Sequence, residues 1–160
     1  MATAHRPSDD PRFGDIEASL AAILRFPSGG LAQFVASFGA AAVDNYRIVG
    51  TSGDLELDPG FKFETATRLR LRRDGQIVET QFPQIDYFGA QVAYFSDCIA
   101  AGTPPEADGD EGLADLRVLI AIENACLSGQ PQMISSPPHS RHPTTDMVRL
   151  AAPTDRRLVL

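Results

Sequence analysis

Apolar and polar residues alternate with a period of two from residue 16 onward. Ile16, Ala18, Leu20, Ala22 and Leu24 interleave with Glu17, Ser19, Ala21, Ile23 and Arg25. That pattern predicts a strand with one strongly apolar face. Pro27-Ser-Gly-Gly30 is turn chemistry, because glycine permits positive φ. A second strand over 31–38 places Ala32, Phe34, Ala36 and Phe38 on one side and Leu31, Gln33, Val35 and Ser37 on the other. The two strands make a hairpin. A third strand is predicted near 45–50 and a fourth over 55–58, with Thr51-Ser-Gly-Asp54 between them and Pro59-Gly60 after. Residues 61–72 alternate again, Arg73-Asp-Gly-Gln76 carries the Asp-Gly hairpin signature, and a last strand covers about 76–82.

After Pro83 the period becomes helical. Phe88, Val92, Phe95 and Ile99 form one stripe, with Tyr87, Gln91, Tyr94 and Cys98 beside it. Asp86 is placed to cap this helix, and Gly102 followed by Pro104-Pro105 ends it. A second helix is predicted over 111–128, with Gly129 as its stop. Leu113, Leu116, Leu119, Ile120, Ala121, Ile122 and Cys126 make it apolar around much of its circumference, so it is expected to be the more buried helix.

Strands first and helices afterwards predict the α+β class. The expected architecture is an open, mostly antiparallel β-sheet of five to six strands, two main helices on one face, and a Pro-rich C-terminal tail. Residues 1–14 read as a leader or linker, 15–130 as the sheet domain, and 131–160 as an extended tail interrupted by Pro131, Pro137, Pro138, Pro143 and Pro153.

A formal net charge of −7 argues against nucleic acid or an anionic membrane surface as partner, since both attract basic proteins. No apolar run reaches the roughly 18 residues of a membrane span, and the N-terminus has no apolar signal-peptide core. Cytoplasm is the expected compartment. Cys98 and Cys126 lie in apolar helical patterns without C-x-x-C spacing, which fits small buried thiols in a reducing environment.

Chemistry-bearing residues are sparse. His5 falls in the predicted leader, and His139 and His142 fall in the tail. A histidine base needs a fixed orientation, and His139-x-x-His142 alone is too few ligands for zinc. Asp108-Gly-Asp110-Glu111 lacks a full calcium loop and reads as an acidic helix start. Ser28, Ser37, Ser96 and Ser128 have no nucleophile elbow. Arg68, Arg70 and Arg72 share one strand face, either solvated or engaged in a partner contact or a salt-bridge ladder. No catalytic, cofactor-binding or metal residue is assigned on these grounds.

Several segments, in order, resemble one family. They are Leu24-Arg-Phe-Pro-Ser-Gly-Gly-Leu-Ala-Gln-Phe-Val-Ala-Ser-Phe-Gly39, Tyr46-Arg-Ile-Val-Gly-Thr-Ser-Gly-Asp-Leu55, Asp86-Tyr-Phe-Gly-Ala-Gln-Val-Ala-Tyr-Phe-Ser-Asp-Cys-Ile99, Ala101-Gly-Thr-Pro-Pro105 and Glu111-Gly-Leu-Ala-Asp-Leu-Arg117. Together they resemble the C-terminal domain of Gfo/Idh/MocA (glucose–fructose oxidoreductase-like) enzymes over about residues 12–150. The family's dinucleotide turn, G-x-G-x-x-G, is absent. So are its Glu-Lys-Pro motif and the Asp-x-Gly-x-x-His or Tyr motif; the single lysine is Lys62.

The resemblance implies a substrate-cleft and oligomerisation domain of an NAD(P)-dependent sugar or polyol oxidoreductase. It implies inactivity in isolation, because the Rossmann domain and the catalytic lysine lie outside these residues. NAD(P) is implied for the full-length enzyme, with no cofactor in this chain. The implied partners are a missing or separate dinucleotide-binding domain and a second copy through the sheet face. By the same resemblance, Tyr87, Gln91 and Tyr94 are the substrate-binding candidates, set against a purely packing role for the two tyrosines. The rival reading is a stand-alone, non-catalytic interaction module that dimerises through its open sheet.

Overall fold

The computed structural model describes residues 1–135 and 144–152. Its strands are β1 (Ala2–His5), β2 (Ser19–Arg25), β3 (Leu31–Ser37), β4 (Tyr46–Gly50), β5 (Gly53–Asp58), β6 (Thr67–Arg73) and β7 (Gln76–Phe82). The helices are α1 (Tyr87–Ala101) and α2 (Gly109–Ser128). Two compact units divide the described chain: residues 1–41 with 106–135, and residues 42–105 with 144–152.

In the first unit β1, β2 and β3 form an antiparallel sheet in that order. The alternation of β2 puts Leu20, Ala22 and Leu24 on one face, with Ala2, Ala4, Ala32, Phe34 and Ala36 from its neighbours. α2 lies against β1. Ala22 is 3% exposed, and Ile122 and Ala125 of the helix are buried. Small side chains at these sheet positions let the helix approach closely. Asp108 caps α2 by accepting hydrogen bonds from the Asp110 and Glu111 N–H groups at 3.0 and 3.1 Å. This is the acidic helix start that the sequence suggested.

The predicted leader is ordered. Met1 exchanges backbone hydrogen bonds with Ile23, and Ala2–His5 pairs with β2. Phe13 is buried next to Gly39 and Ala18. Arg6 donates to the carbonyls of Gly14 and Asp15, closing the loop before β2. A four-residue strand of small and polar side chains carries no periodic signal. Its order comes from the pairing edge that β2 offers, so His5 lies in a strand opposite Ser19.

The second helix is the more buried of the two, with Ile122 and Ala125 buried where α1 buries Cys98, but its cover is partial. Within its unit only one stripe is covered, with Ala114, Val118 and Ala121 half-buried beside Ile122 and Ala125. Leu113, Leu116, Leu119, Ile120 and Leu127 are exposed. An all-round apolar sequence predicts burial only where there are layers on both sides, and this unit supplies one.

The second unit is a four-stranded antiparallel meander, β4-β5-β6-β7. Asp74 and Gly75 both have positive φ at the β6–β7 turn, as the Asp-Gly signature requires. Gly53 has φ +155°, and a Cβ there would overlap the Arg72 carbonyl oxygen. Asp44 ties the segment before β4 to the β5–β6 connection by accepting from the Gly60 and Phe61 N–H groups at 3.1 and 2.7 Å.

The two faces of this sheet differ in character. One carries Tyr46, Ile48, Leu55, Leu57, Leu69, Leu71, Val78 and Phe82. The other carries Arg47, Asp54, Glu56, Asp58, Arg68, Arg70, Arg72 and Glu79. On that face Asp54 accepts from Arg47 at 2.7 Å and from Arg72 at 2.8 Å. Arg72 reaches Glu56 at 3.1 Å, Arg70 reaches Glu79 at 2.7 Å, and Arg68 reaches Asp58 at 3.3 Å. The arginine stripe is therefore a cross-strand ladder of alternating charge.

The chain is an α+β protein with open antiparallel sheets. Its seven described strands divide into sheets of three and four, where five to six strands in one sheet were expected. Of the Pro-rich tail, Pro137, Pro138, Pro143, Pro153, His139 and His142 lie outside the described residues.

Candidate functional site

α1 positions the candidate residues, and its N-terminus is built from a close fit. Asp86 stands in extended conformation and its carboxylate accepts from the Gly89 N–H at 2.8 Å. A Cβ on Gly89 would collide with that carboxylate, so the cap uses glycine's missing side chain. At the other end Gly102 adopts φ +64° and donates its N–H to the carbonyls of Cys98 and Ile99, which stops the helix after four turns.

Tyr87, Gln91 and Tyr94 are four and three residues apart and share one side of α1. Tyr87 meets Phe63 edge-on at 5.7 Å, and Phe63 also touches Phe88 at 5.3 Å. Gln91 is exposed and Tyr94 half-buried. The arrangement leaves Gln91 with an accessible amide and fixes the Tyr87 ring against an aromatic neighbour. The stripe Phe88, Val92, Phe95 and Ile99 is exposed.

Two elements of this surface were not legible in the sequence. Residues 148–152 run beside α1: Ala151 accepts a hydrogen bond from the Asp86 N–H at 2.9 Å. Arg149 pairs with Asp97 at 2.9 Å and lies over the Tyr94 ring at 5.8 Å from its centroid. An arginine in a Pro-rich segment gives no local sign of a partner some fifty residues away. Phe63 likewise sits in the β5–β6 connection, where the strand pattern had placed it on a sheet face. Lys62 is exposed in the same connection.

Among the described residues no cluster of three or more His, Cys, Asp or Glu side chains is arranged to hold a metal ion. No described helix is long and apolar enough to cross a membrane. Burial pushes the Cys126 thiol up, with Glu17 and Glu123 adding to the effect. The residues present do not fit a dinucleotide. Such a site needs parallel strands meeting a glycine-rich turn at a helix N-terminus, whereas every described strand pairing is antiparallel and the chain has no G-x-G-x-x-G.

Known proteins similar to this chain are sugar oxidoreductases. D-xylose 1-dehydrogenase [NADP(+)] of Haloarcula marismortui is 32% identical over 102 residues, 64% of this chain and 28% of that protein. D-xylose 1-dehydrogenase (NADP(+)) 2 of Haloferax volcanii is 27% identical over 75% of this chain and 38% of its own length. Aldose-aldose oxidoreductase from Caulobacter crescentus, solved with glycerol, is 34% identical with a TM-score of 0.74 over 81% of this chain and 38% of that one. KijD10, a 3-ketoreductase from Actinomadura kijaniata, shares the fold at 21% identity and a TM-score of 0.54. No family profile matches the chain. The chain resembles the C-terminal domain of Gfo/Idh/MocA-type oxidoreductases in sequence and fold. It spans 28% to 38% of the length of the two D-xylose 1-dehydrogenases and the aldose-aldose oxidoreductase.

Proposed function

We propose that the chain forms part of the substrate cleft and a subunit interface of a Gfo/Idh/MocA-type, NAD(P)-dependent sugar or polyol oxidoreductase, and turns over no substrate by itself. The similarity to aldose-aldose oxidoreductase over 81% of the chain carries this reading. Hydride transfer from a hydroxyl-bearing carbon needs an acceptor and a proton-transferring group. In this reading both belong to a dinucleotide-binding domain, and the present chain binds and orients. Gln91 offers an amide with two donors and an acceptor, and Tyr87 a phenol held by Phe63. A polyhydroxylated ligand suits such groups.

Saturation-transfer NMR of the chain with D-xylose, beside an NADP⁺ reduction assay, tests it. The expected result is an aldose signal that Gln91→Ala and Tyr87→Phe weaken, with no NADPH formed. Turnover by the chain alone, or an aldose signal indifferent to both substitutions, overturns the reading. The second reading, an interaction module without substrate, is favoured by the bare apolar face of the four-stranded sheet, where Ile48, Leu71, Val78 and Phe82 are exposed. Self-association with no aldose signal supports it.

A further inference from the structure

The free edge of β3 is unlike the other sheet edges. Met1 exchanges both backbone bonds with Ile23, so the odd residues of β2 face β1. By antiparallel alternation the even residues face β3, and the Phe26–Gly30 and Phe38–Ala18 bonds at the two ends agree. The N–H and C=O groups of Leu31, Gln33, Val35 and Ser37 therefore point away from the sheet, and no described strand pairs with them.

Natural edges are blunted by charge, proline, a bulge or short length. β3 has none of these: it is seven residues, Leu-Ala-Gln-Phe-Val-Ala-Ser, in unbroken register with β2. β1 is four residues, β4 carries Arg47, and β7 carries Glu79 at its centre. Two-fold pairing of β7 about its centre would set Glu79 against its own copy, a like-charge contact. The same operation on β3 meets no charge. A two-fold through Phe34 sets Gln33 opposite Val35 of the second copy and Leu31 opposite Ser37. These are the residues whose backbone groups point outward, so all four are satisfied together. It also covers Leu31 and Val35, 72% and 75% exposed, and brings Phe34, 40% exposed, against its own copy.

The geometry points to β3 as a strand-addition site whose occupant is a second copy of this chain, paired antiparallel about Phe34. The interface is separate from the apolar face of β4–β7 and from aldose binding, so each can fail without the others. Light scattering across a concentration series measures the dimer. Val35→Pro removes an outward N–H, a change that edge strands tolerate, and is expected to raise the dissociation constant at least about tenfold.

Cross-linking reads the register directly. On a Cys98→Ala, Cys126→Ala background, Phe34→Cys places two thiols on Cα atoms about 4.5 Å apart, within disulfide reach. Ala32→Cys places them about 13 Å apart along the strand. Oxidation that cross-links the first variant and not the second is the expected result. A strict monomer, an unchanged dimer in folded Val35→Pro, or equal cross-linking at both positions overturns the proposal.

Discussion

Gly89 shows how much one missing side chain decides. The Asp86 carboxylate occupies the space where a Cβ would sit, and in return satisfies one of the N–H groups that the first turn of α1 leaves open. Gly89→Ala is expected to push the carboxylate off its donor. The cost is that of a lost N-cap, about 0.5–2 kcal/mol, seen as a lower urea midpoint. Asp86→Ala should match it, and the double variant should cost no more than either alone, because both remove the same bond. Asp86 and Gly102 were readable as caps from residue type and spacing. The tightness at Gly89 was not, since it depends on the rotamer of a neighbour three residues back. Arg149 over Tyr94 was beyond sequence reading for a different reason. Its partner is distant in the chain, and no periodicity links them.

At the scale of the element, the four-stranded sheet separates its energetics by face. On the charged face the side-chain hydrogen bond from Arg47, and then that from Arg72, holds the Asp54 carboxyl below its ordinary value. Arg70 does the same for Glu79. A carboxyl group whose folded pKa is depressed stabilises the fold at pH values above its unfolded pKa, and that contribution fades as pH falls through the folded value. The ladder is therefore expected to support the sheet fully at neutral pH and to weaken progressively below about pH 5. Denaturation midpoints measured between pH 7 and pH 3 check this: Asp54→Asn should be less stable at pH 7 and should show a flatter acid slope. An unchanged slope would mean that the ladder is solvated and contributes little, as many exposed ion pairs do. The alternation that set Arg68, Arg70 and Arg72 on one face was plain in the sequence. Which carboxylates meet them depends on register, and register needs the hairpin turns at Thr51-Ser52 and Asp74-Gly75 to be counted correctly.

For the whole molecule, the decisive fact is how little apolar surface either unit covers. Among the described residues only Phe13, Ala18, Ala22, Cys98, Ile122 and Ala125 are buried apolar side chains, while Ile48, Val78 and Phe82 stand open on one sheet face. Contiguous bare apolar surface is uncommon on monomers, so this face is the place to test for self-association. If the apolar face of β4–β7 mediates self-association, Val78→Glu should lower the scattering mass at a given concentration and leave the far-ultraviolet circular dichroism unchanged. A Val78→Glu chain that associates like the parent would remove that face from the interface.

The sequence by itself determined the elements: strands where the period is two, helices where it is 3.6, turns where Gly, Pro and Asp-Gly stand, the Asp86 cap, and the glycine stops of both helices. These are local properties, set by backbone sterics and by which side chains share a face. The ordered segments also carried the family resemblance, which the fold and the relatives then bore out. Only the tertiary structure decided that the strands divide into sheets of three and four, and that residues 2–5 are a strand. Only the tertiary structure showed the arginine stripe answered by carboxylates, and the outward stripes of both helices left bare. Each of those depends on which distant segment arrives to pair or cover. That is a competition between surfaces, and no window of neighbouring residues contains it.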